Sequence, residues 1–438
     1  MKKNYLIKWF FSLMIFGHFQ FVNAQNLYFP PLNNAANWDT LSPASLGWCL
    51  NEIDSLYNYL DNQDTKAFVV LKNGKIVLEK YFGTFTRDSI WYWASAGKTI
   101  TAFLLGKAQE ENYLSLQDTS SKYLGSGWTN CTPQQEDKIK IIHQLTMTTG
   151  LDDGVPDNHC TQNTCLNYLA NPGTRWAYHN APYTLLENVI TNATGVSINN
   201  YTLNKLKLRT GMTGSWAFVG YDNVFFSKIR SMARFGLLIQ NDCIWNGDTL
   251  LFDNNYKNSM VNTSQNLNPS YGYLWWLNGK SSYMLPTLQF VFPGSYAPAA
   301  PSDMIAGLGK NGQILSISKS AGIVFARMGN QASGGEVPTQ LCNSIWGKLN
   351  RAMCTTTSLT AGITDNSIQV YPNPASNEIN VISELSNIKR IFISNALGEV
   401  LIEKQNTTKI DISGLMSGIY FTTAVSDKGK HTFKFVKQ

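Results

Sequence analysis

The stretch from Trp93 to Glu110, Trp-Ala-Ser-Ala-Gly-Lys-Thr-Ile-Thr-Ala-Phe-Leu-Leu-Gly-Lys-Ala-Gln-Glu, limits the fold more than any other part of the chain. Ile100, Phe103 and Leu104 recur at helical spacing, and Leu105 and Ala108 widen the apolar surface beyond one stripe. Such a helix is buried on most sides, so it needs layers of structure around it. Ser95 and Lys98 open it three residues apart, on one face. A serine there meets unpaired N–H groups and the positive end of the helix dipole. A lysine one turn on loses proton affinity when desolvated and can share the serine's proton. The pair is a candidate activated nucleophile. The same spacing occurs at Ser316–Lys319 and Ser386–Lys389, in β-rich surroundings where side chains alternate between faces, so context has to decide.

The chain opens with Lys2, Lys3 and Lys8 around an apolar run from Trp9 to about Val22, ending Val22-Asn23-Ala24 before Gln25. This predicts a secretory signal peptide over residues 1–24, too short for a stable membrane anchor. No cysteine follows the cleavage position, and no other apolar run is long enough to span a bilayer. Without those three lysines the net charge falls from +6 to about +3, and no basic run exists, so nucleic acid is not an expected partner. The composition, 43% hydrophobic and only 15% charged, suits a folded chain with a sizeable core.

Seven cysteines in an exported chain permit disulfides and leave at least one thiol unpaired. Cys160 and Cys165, close together in a polar loop, are the expected pair; Cys49, Cys342 and Cys354 could join the two ends of the large domain. No cysteine shows metal-ligand spacing, and only His143, His159 and His179 fall in that domain. Neither a metal nor a cofactor is expected.

Residues 46–59 read as an amphipathic helix, followed by a hairpin of residues 67–71 and 76–82 around Asn73-Gly74, which supplies the positive φ values of a tight turn. After the Ser95 helix, further helices are predicted over residues 139–148, 184–194, 197–208 and 227–240, with a strand-like aromatic run over 271–276. His143 reads as a structural histidine. Strands followed by a helical block exclude the alternation of a doubly wound sheet.

Two more motifs stand downstream of Ser95-x-x-Lys98. Tyr178-His179-Asn180 precedes a helix, and its alternating Tyr178 and Asn180 can project to one side as base and carboxamide. Lys310-Asn311-Gly312-Gln313 leads into a strand, where glycine admits close approach of a substrate. Trp93, with Trp91 and Tyr92, could wall a cleft. A Ser-His-Asp reading through His179 is opposed by the lack of a G-x-S-x-G elbow and by strand alternation, which points His179 away from its neighbours.

In this order the three motifs resemble the serine β-lactamase and penicillin-binding-protein superfamily, on the branch of class C β-lactamases, DD-peptidases and related esterases. Asn112–Asp118, Ser121–Leu124, Thr146–Leu151 and Met232–Leu237 extend the resemblance over most of residues 45–350. It departs at Asn311, where Thr or Ser is usual, and at bulky His179. The resemblance implies an α+β fold: an antiparallel sheet covered by helices, beside an all-helical lobe, within a hydrolase domain of residues 25–354. It implies that Ser95 forms an acyl-enzyme on an ester or amide (a β-lactam or D-Ala-D-Ala peptide included), while Lys98 and Tyr178 move protons. Lys310 would stabilise a Tyr178 tyrosinate, and Asn180 would orient substrate and Lys98. The backbone N–H groups of Ser95 and Gln313 would form the oxyanion hole, with Trp93, Asn311 and Gly312 at the substrate. The other reading is a penicillin-binding-like receptor that acylates slowly or not at all.

From Thr355 to about Asn366 the chain is polar and Thr/Ser-rich, as a linker is. Short alternating strands punctuated by turns then predict a small C-terminal β-sandwich over residues 367–438. Its Tyr-Pro-Asn-Pro opening and Phe-Lys-Phe-Val-Lys ending look like the C-terminal sorting domain of the type IX secretion system. That resemblance implies the secretion machinery as partner, and a secreted or cell-surface protein.

Overall fold

The computed structural model describes residues 27–33, 36–331, 335–354, 368–383, 388–395, 399–426 and 429–438, so the expected signal peptide and linker lie outside the described residues. The chain divides into two units, Met1–Cys354 and Thr355–Gln438.

In the first unit, helix α1 (Leu50–Asn62) leads into strands β1 (Thr65–Lys72) and β2 (Lys75–Tyr81), which turn at Asn73 (φ 49°) and Gly74 (φ 85°). Strand β3 (Trp91–Tyr92) precedes helix α2 (Lys98–Glu110), and helix α3 (Asn180–Thr194) follows a long irregular stretch. Strands β4 (Ser215–Val219) and β5 (Asp222–Ser227) pair with β3 in a small sheet ordered β3-β5-β4. Then come helix α4 (Ile229–Gln240), strands β6 (Trp276–Leu277), β7 (Ile305–Gly309), β8 (Gln313–Ser318) and β9 (Ile323–Gly329), and helix α5 (Thr339–Ala352).

The main sheet runs β2-β1-β9-β8-β7-β6, every neighbour antiparallel. Helices cover both faces, and strands β8 and β9 are buried along their whole length, so they read as apolar runs rather than as alternation. On one face Gly236 of α4 seats directly on Val324 and Leu315; a Cβ there would lie 2.5 Å from the first. On the other, Trp346 of α5 packs its ring on Phe325 and donates its indole N–H to Ser316 Oγ at 2.9 Å. Helix α2 is buried from Lys98 to Ala108, the enclosure its all-round apolar sequence requires. This is the α+β arrangement expected of the sequence.

Two expectations fail locally. The helix of residues 139–148 shortens to Ile141–Leu145, because Met147 takes φ 59° and ends it. Of the aromatic run 271–276 only Trp276 belongs to a strand, since Leu274 sits at φ 61° and breaks the extended backbone. Cys160 pairs with Cys165, and Cys49 with Cys354; Cys342 is a free, fully buried thiol.

The second unit has β10 (Ile368–Tyr371), β11 (Glu378–Ser383), β12 (Ile388–Ser394), β13 (Val400–Gln405), β14 (Lys409–Asp411), β15 (Gly418–Ser426) and β16 (Gly429–Lys437). They form sheets ordered β10-β11-β14 and β13-β12-β15-β16 around a core of its own that includes Ile379, Val381, Ile391, Ile393, Tyr420 and Phe435.

Candidate active site

Strand β3 delivers the chain into a 3-10 turn, Ala94–Gly97, that carries Ser95 just ahead of α2. Ala94 has φ 45°, a conformation crowded by its own Cβ, so Ser95 is presented from a strained corner. Two glycines of β7 lie against this turn. A Cβ on Gly309 would stand 2.5 Å from Trp93 O and 3.1 Å from Ser95 N; one on Gly307 would stand 3.2 Å from Ala96 O. These neighbours are backbone and cannot swing aside. Gly309→Ala is therefore expected to destabilise the protein by about 1–3 kcal/mol, as overpacking does, and to slow any reaction at Ser95. A urea midpoint equal to wild type would refute this.

Lys98 is 3% exposed. Its Nζ lies 3.1 Å from Ser95 Oγ, donates to Asn180 Oδ1 at 2.8 Å, and sits over the Tyr183 ring, 4.0 Å from its centroid. Burial lowers its pKa to about 8, against the opposing pull of the Asp222, Glu187 and Glu336 carboxylates. Tyr178, also buried, is hydrogen-bonded to Ser95 and packed among Trp176, Tyr271 and Trp276. Ser95, Lys98, Tyr178 and Asn180 thus meet at one point.

Burial works against the tyrosinate expectation. Burial, with Glu336 and Asp222 adding to it, raises the Tyr178 pKa far above the ordinary phenol value, outweighing the bond to Ser95. The phenol stays protonated and can donate a proton rather than begin as a base. Lys310, its supposed stabiliser, stands at the cleft rim, its side chain 57% exposed, and pairs with Glu336 at 3.2 Å.

Three more residues fall differently from the sequence expectation. Trp93 is fully buried and donates its indole N–H to Ser227 Oγ at 2.7 Å, so its side chain belongs to the core. Gly312 faces Arg327: a Cβ would lie 2.2 Å from that guanidinium, which is why glycine stands there at φ 82°. Gln313 is buried, and its amide bridges Lys310 O, Asn311 O and both backbone groups of Gly329, fixing the turn. Asn311 does line the cleft, donating to Tyr92 Oη at 2.8 Å.

Strand register decides which backbone N–H near Ser95 is left without a strand partner. Asn278 N donates to Met304 O, so Met304, Ala306 and Leu308 point their backbone groups toward the β6 edge, and the residues between them toward β8. Gly309 faces Gln313 across the hairpin, which turns the Gln313 N–H inward. Strand β6 pairs no further along β7 than Ala306, and the Leu308 N–H faces the edge left open.

The cleft measures about 370 Å³ and is lined by Ser95, Lys98, Asn180, Lys310 and Tyr92 together with residues the sequence did not single out as site residues: His159, Tyr183, Asp222 and Glu336 among them. His159 adjoins the Cys160–Cys165 loop, and Asp222 follows the turn between β4 and β5; neither carries a motif, though a disulfide loop with a lone histidine was a usable signal. His179 does not line the cleft; burial lowers its pKa to about 4 and leaves it neutral. His143 accepts from Lys140 N at 3.1 Å, likewise neutral with its pKa near 4. Of the alternative Ser-x-x-Lys pairs, Ser316 is buried against Trp346, Lys319 pairs with Asp242, and Ser386 lies outside the described residues. No group of metal-ligating side chains occurs among the described residues.

A family profile described as Beta-lactamase matches residues 62–340, and a second, described as Secretion system C-terminal sorting domain, matches residues 369–438. Similar solved structures include a Bacillus anthracis protein assigned as a 6-aminohexanoate-dimer hydrolase (TM-score 0.57, 20% identity, covering 72% of this chain and 87% of that one). A Bacteroides dorei protein assigned as a β-lactamase gives TM-score 0.54 at 18% identity, covering 70% and 99%. A penicillin-binding-protein homologue from Caulobacter crescentus gives TM-score 0.55 at 10% identity, covering 69% and 97%. At these identities the likeness speaks for fold alone. Among curated proteins, Protein flp of Staphylococcus aureus is 28% identical over 158 residues; the chain spans about a third of that relative's length, 32% of each.

Proposed function

Since the chain belongs to the Beta-lactamase family and ends in a secretion-system sorting domain, which marks a secreted or cell-surface protein, we propose that it is an exported serine hydrolase that cleaves an ester or amide through an acyl group on Ser95. The observation that carries this reading is the buried Lys98, its Nζ 3.1 Å from Ser95 Oγ. A lysine with pKa about 8 is partly neutral at working pH and can take the serine's proton.

In this mechanism Ser95 Oγ attacks the carbonyl carbon and its proton passes to Lys98. The oxyanion sits between the N–H groups of Ser95 and Leu308, each donor worth on the order of 10²–10³ in rate. As the intermediate collapses, Tyr178 gives its proton to the departing oxygen or nitrogen and recovers one from Lys98. Water then repeats the attack on the acyl-serine with Lys98 as base, releasing the acid and restoring Ser95. Asn180 holds Lys98 in place. The N-terminal segment of residues 1–24 serves as export signal, and residues 355–366 link the hydrolase to its sorting domain.

Charge in the cleft narrows the substrate. The carboxylates of Asp222 and Glu336 both act on Lys98 and Tyr178, and Glu336 occupies the exposed cation, Lys310. A substrate carboxylate would meet like charge and no unengaged lysine. Neutral esters and amides are therefore favoured over cephalosporins and D-Ala-D-Ala peptides. The test is a screen of p-nitrophenyl esters, a chromogenic cephalosporin and a D-Ala-D-Ala peptide, with mass spectrometry for acyl-enzyme. Glu336→Gln is expected to improve kcat/KM for the anionic substrates relative to the neutral ester by about twofold to fivefold, the range of an exposed ion pair. An unchanged ratio would reject this charge filter, and absence of any acyl-enzyme would favour a recognition protein.

A further inference from the structure

Asn180 is held from both ends. Its Oδ1 accepts from Lys98 at 2.8 Å, so its Nδ2 points the other way, to Asn158 Oδ1 at 3.4 Å and His159 Nε2 at 3.3 Å. A carboxamide N–H can only donate, so Nε2 must offer a lone pair, and the ring proton belongs on Nδ1. Nδ1 lies 2.7 Å from Asp222 Oδ2, off the line of a straight hydrogen bond, so the carboxylate charge favours the tautomer whose N–H dipole faces it, with the ring itself neutral. The ring's place is fixed by its own loop: Cys160 is tied to Cys165, His159 N donates to Asp157 Oδ1 at 3.0 Å, and Ala181 N donates to Asn158 O at 3.0 Å.

We propose that His159, kept in its Nδ1-protonated form by Asp222, is a positioning residue that sets the Asn180 carboxamide with its oxygen toward Lys98. The proposal rests on the Ser95–Lys98 reading and extends it by two residues without a motif. The physical reason is the symmetry of an amide. Oxygen and NH₂ are nearly equal in size, so shape alone cannot stop Asn180 turning over; only an acceptor on the far side selects the right face. Turned over, its NH₂ would confront the ammonium, and Lys98 would lose the partner that aims it at Ser95. Titratable groups around this chain are Asp222 and His179 near His159, and Asp222, Glu187 and Glu336 around Lys98.

The test compares His159→Gln with His159→Met in the full chain. The two side chains match in length, but only glutamine carries an oxygen at the Nε2 position. A fluorophosphonate labelling rate at Ser95 and the kcat of an accepted ester are followed against pH. Glutamine is expected to restore most of the rate. Methionine is expected to lower kcat about tenfold with little change in KM, the effect of one lost hydrogen bond. It should also move the acid limb to lower pH, because an ammonium without its acceptor gives up its proton more easily. A purely structural role would move the thermal midpoint and leave that limb in place. Equal rates and equal limbs in the two variants overturn the assignment while leaving the hydrolase reading intact; a wild-type protein that does not label at Ser95 overturns both.

Discussion

Ser95→Ala is expected to remove turnover of every substrate the protein accepts, a loss on the order of 10⁴–10⁶-fold, with no covalent adduct left to trap. The magnitude follows from the absence of a substitute. Among the described residues, no other serine, threonine or cysteine lines the cleft. Ser227 and Ser316 are buried and engaged by the indoles of Trp93 and Trp346. The 3-10 turn presents only Ser95 to Lys98, and the glycines of β7 leave room for the turn in that one place. A fluorophosphonate should label wild type at Ser95 alone, at an unaltered melting temperature for the alanine variant. Labelling that persists in Ser95→Ala, or that maps to Ser316 or Ser386, removes Ser95 as nucleophile.

Lys98→Ala follows with a loss on the order of 10³-fold or more, and it should erase the acid limb of the pH profile rather than only scale it. Burial lowers the pKa of Lys98 to about 8, and in the proposed mechanism the base is its neutral amine. The sign is then fixed: kcat/KM rises with pH, with about a tenth of the amine neutral at pH 7 and about nine-tenths at pH 9. Tyr178→Phe should cost less at the attack step and more at leaving-group departure, so amides suffer more than activated esters. With the phenol protonated throughout, Tyr178 adds no descending limb near neutrality. His179→Ala should change the rate little, because neither nitrogen of that ring is hydrogen-bonded to Ser95, Lys98 or Asn180. An acid limb that survives in Lys98→Ala would remove Lys98 as the base.

Several features were legible because each is written in a short run of residues. The all-round apolar segment after Lys98 demanded an enclosed helix, and it is enclosed from Lys98 to Ala108. Asn73-Gly74 required positive φ and forms the β1–β2 turn. Strand alternation in the tail separated its inward residues, Ile391 and Ile393 for instance, from exposed positions such as Arg390. The pairing of Cys160 with Cys165 was read from proximity in the chain.

What failed depended on which backbone edge or which neighbour a residue meets. Trp91, Tyr92 and Trp93 all look like cleft residues in sequence, but one step along the chain reverses the side a residue faces, and of the three Tyr92 lines the cleft while Trp93 is buried in the core. The Gln313 N–H, expected at the oxyanion, turns inward while the Leu308 N–H faces the open edge, through the same alternation in hydrogen-bond direction, which only pairing with β6 and β8 could fix. Lys310 was expected to stand free beside a phenol; the return of the chain at Glu336 engages it. By itself the sequence determined the classes of element and the chemistry of the Ser95–Lys98 turn, because helical spacing and side-chain pKa behaviour act within a few residues. Only the tertiary structure decided protonation and partnership. Burial sets the charge state of Lys98 and Tyr178, and His159 and Asp222, 63 residues apart in sequence, become neighbours only when the Cys160 loop and the β4–β5 turn close on the same cleft.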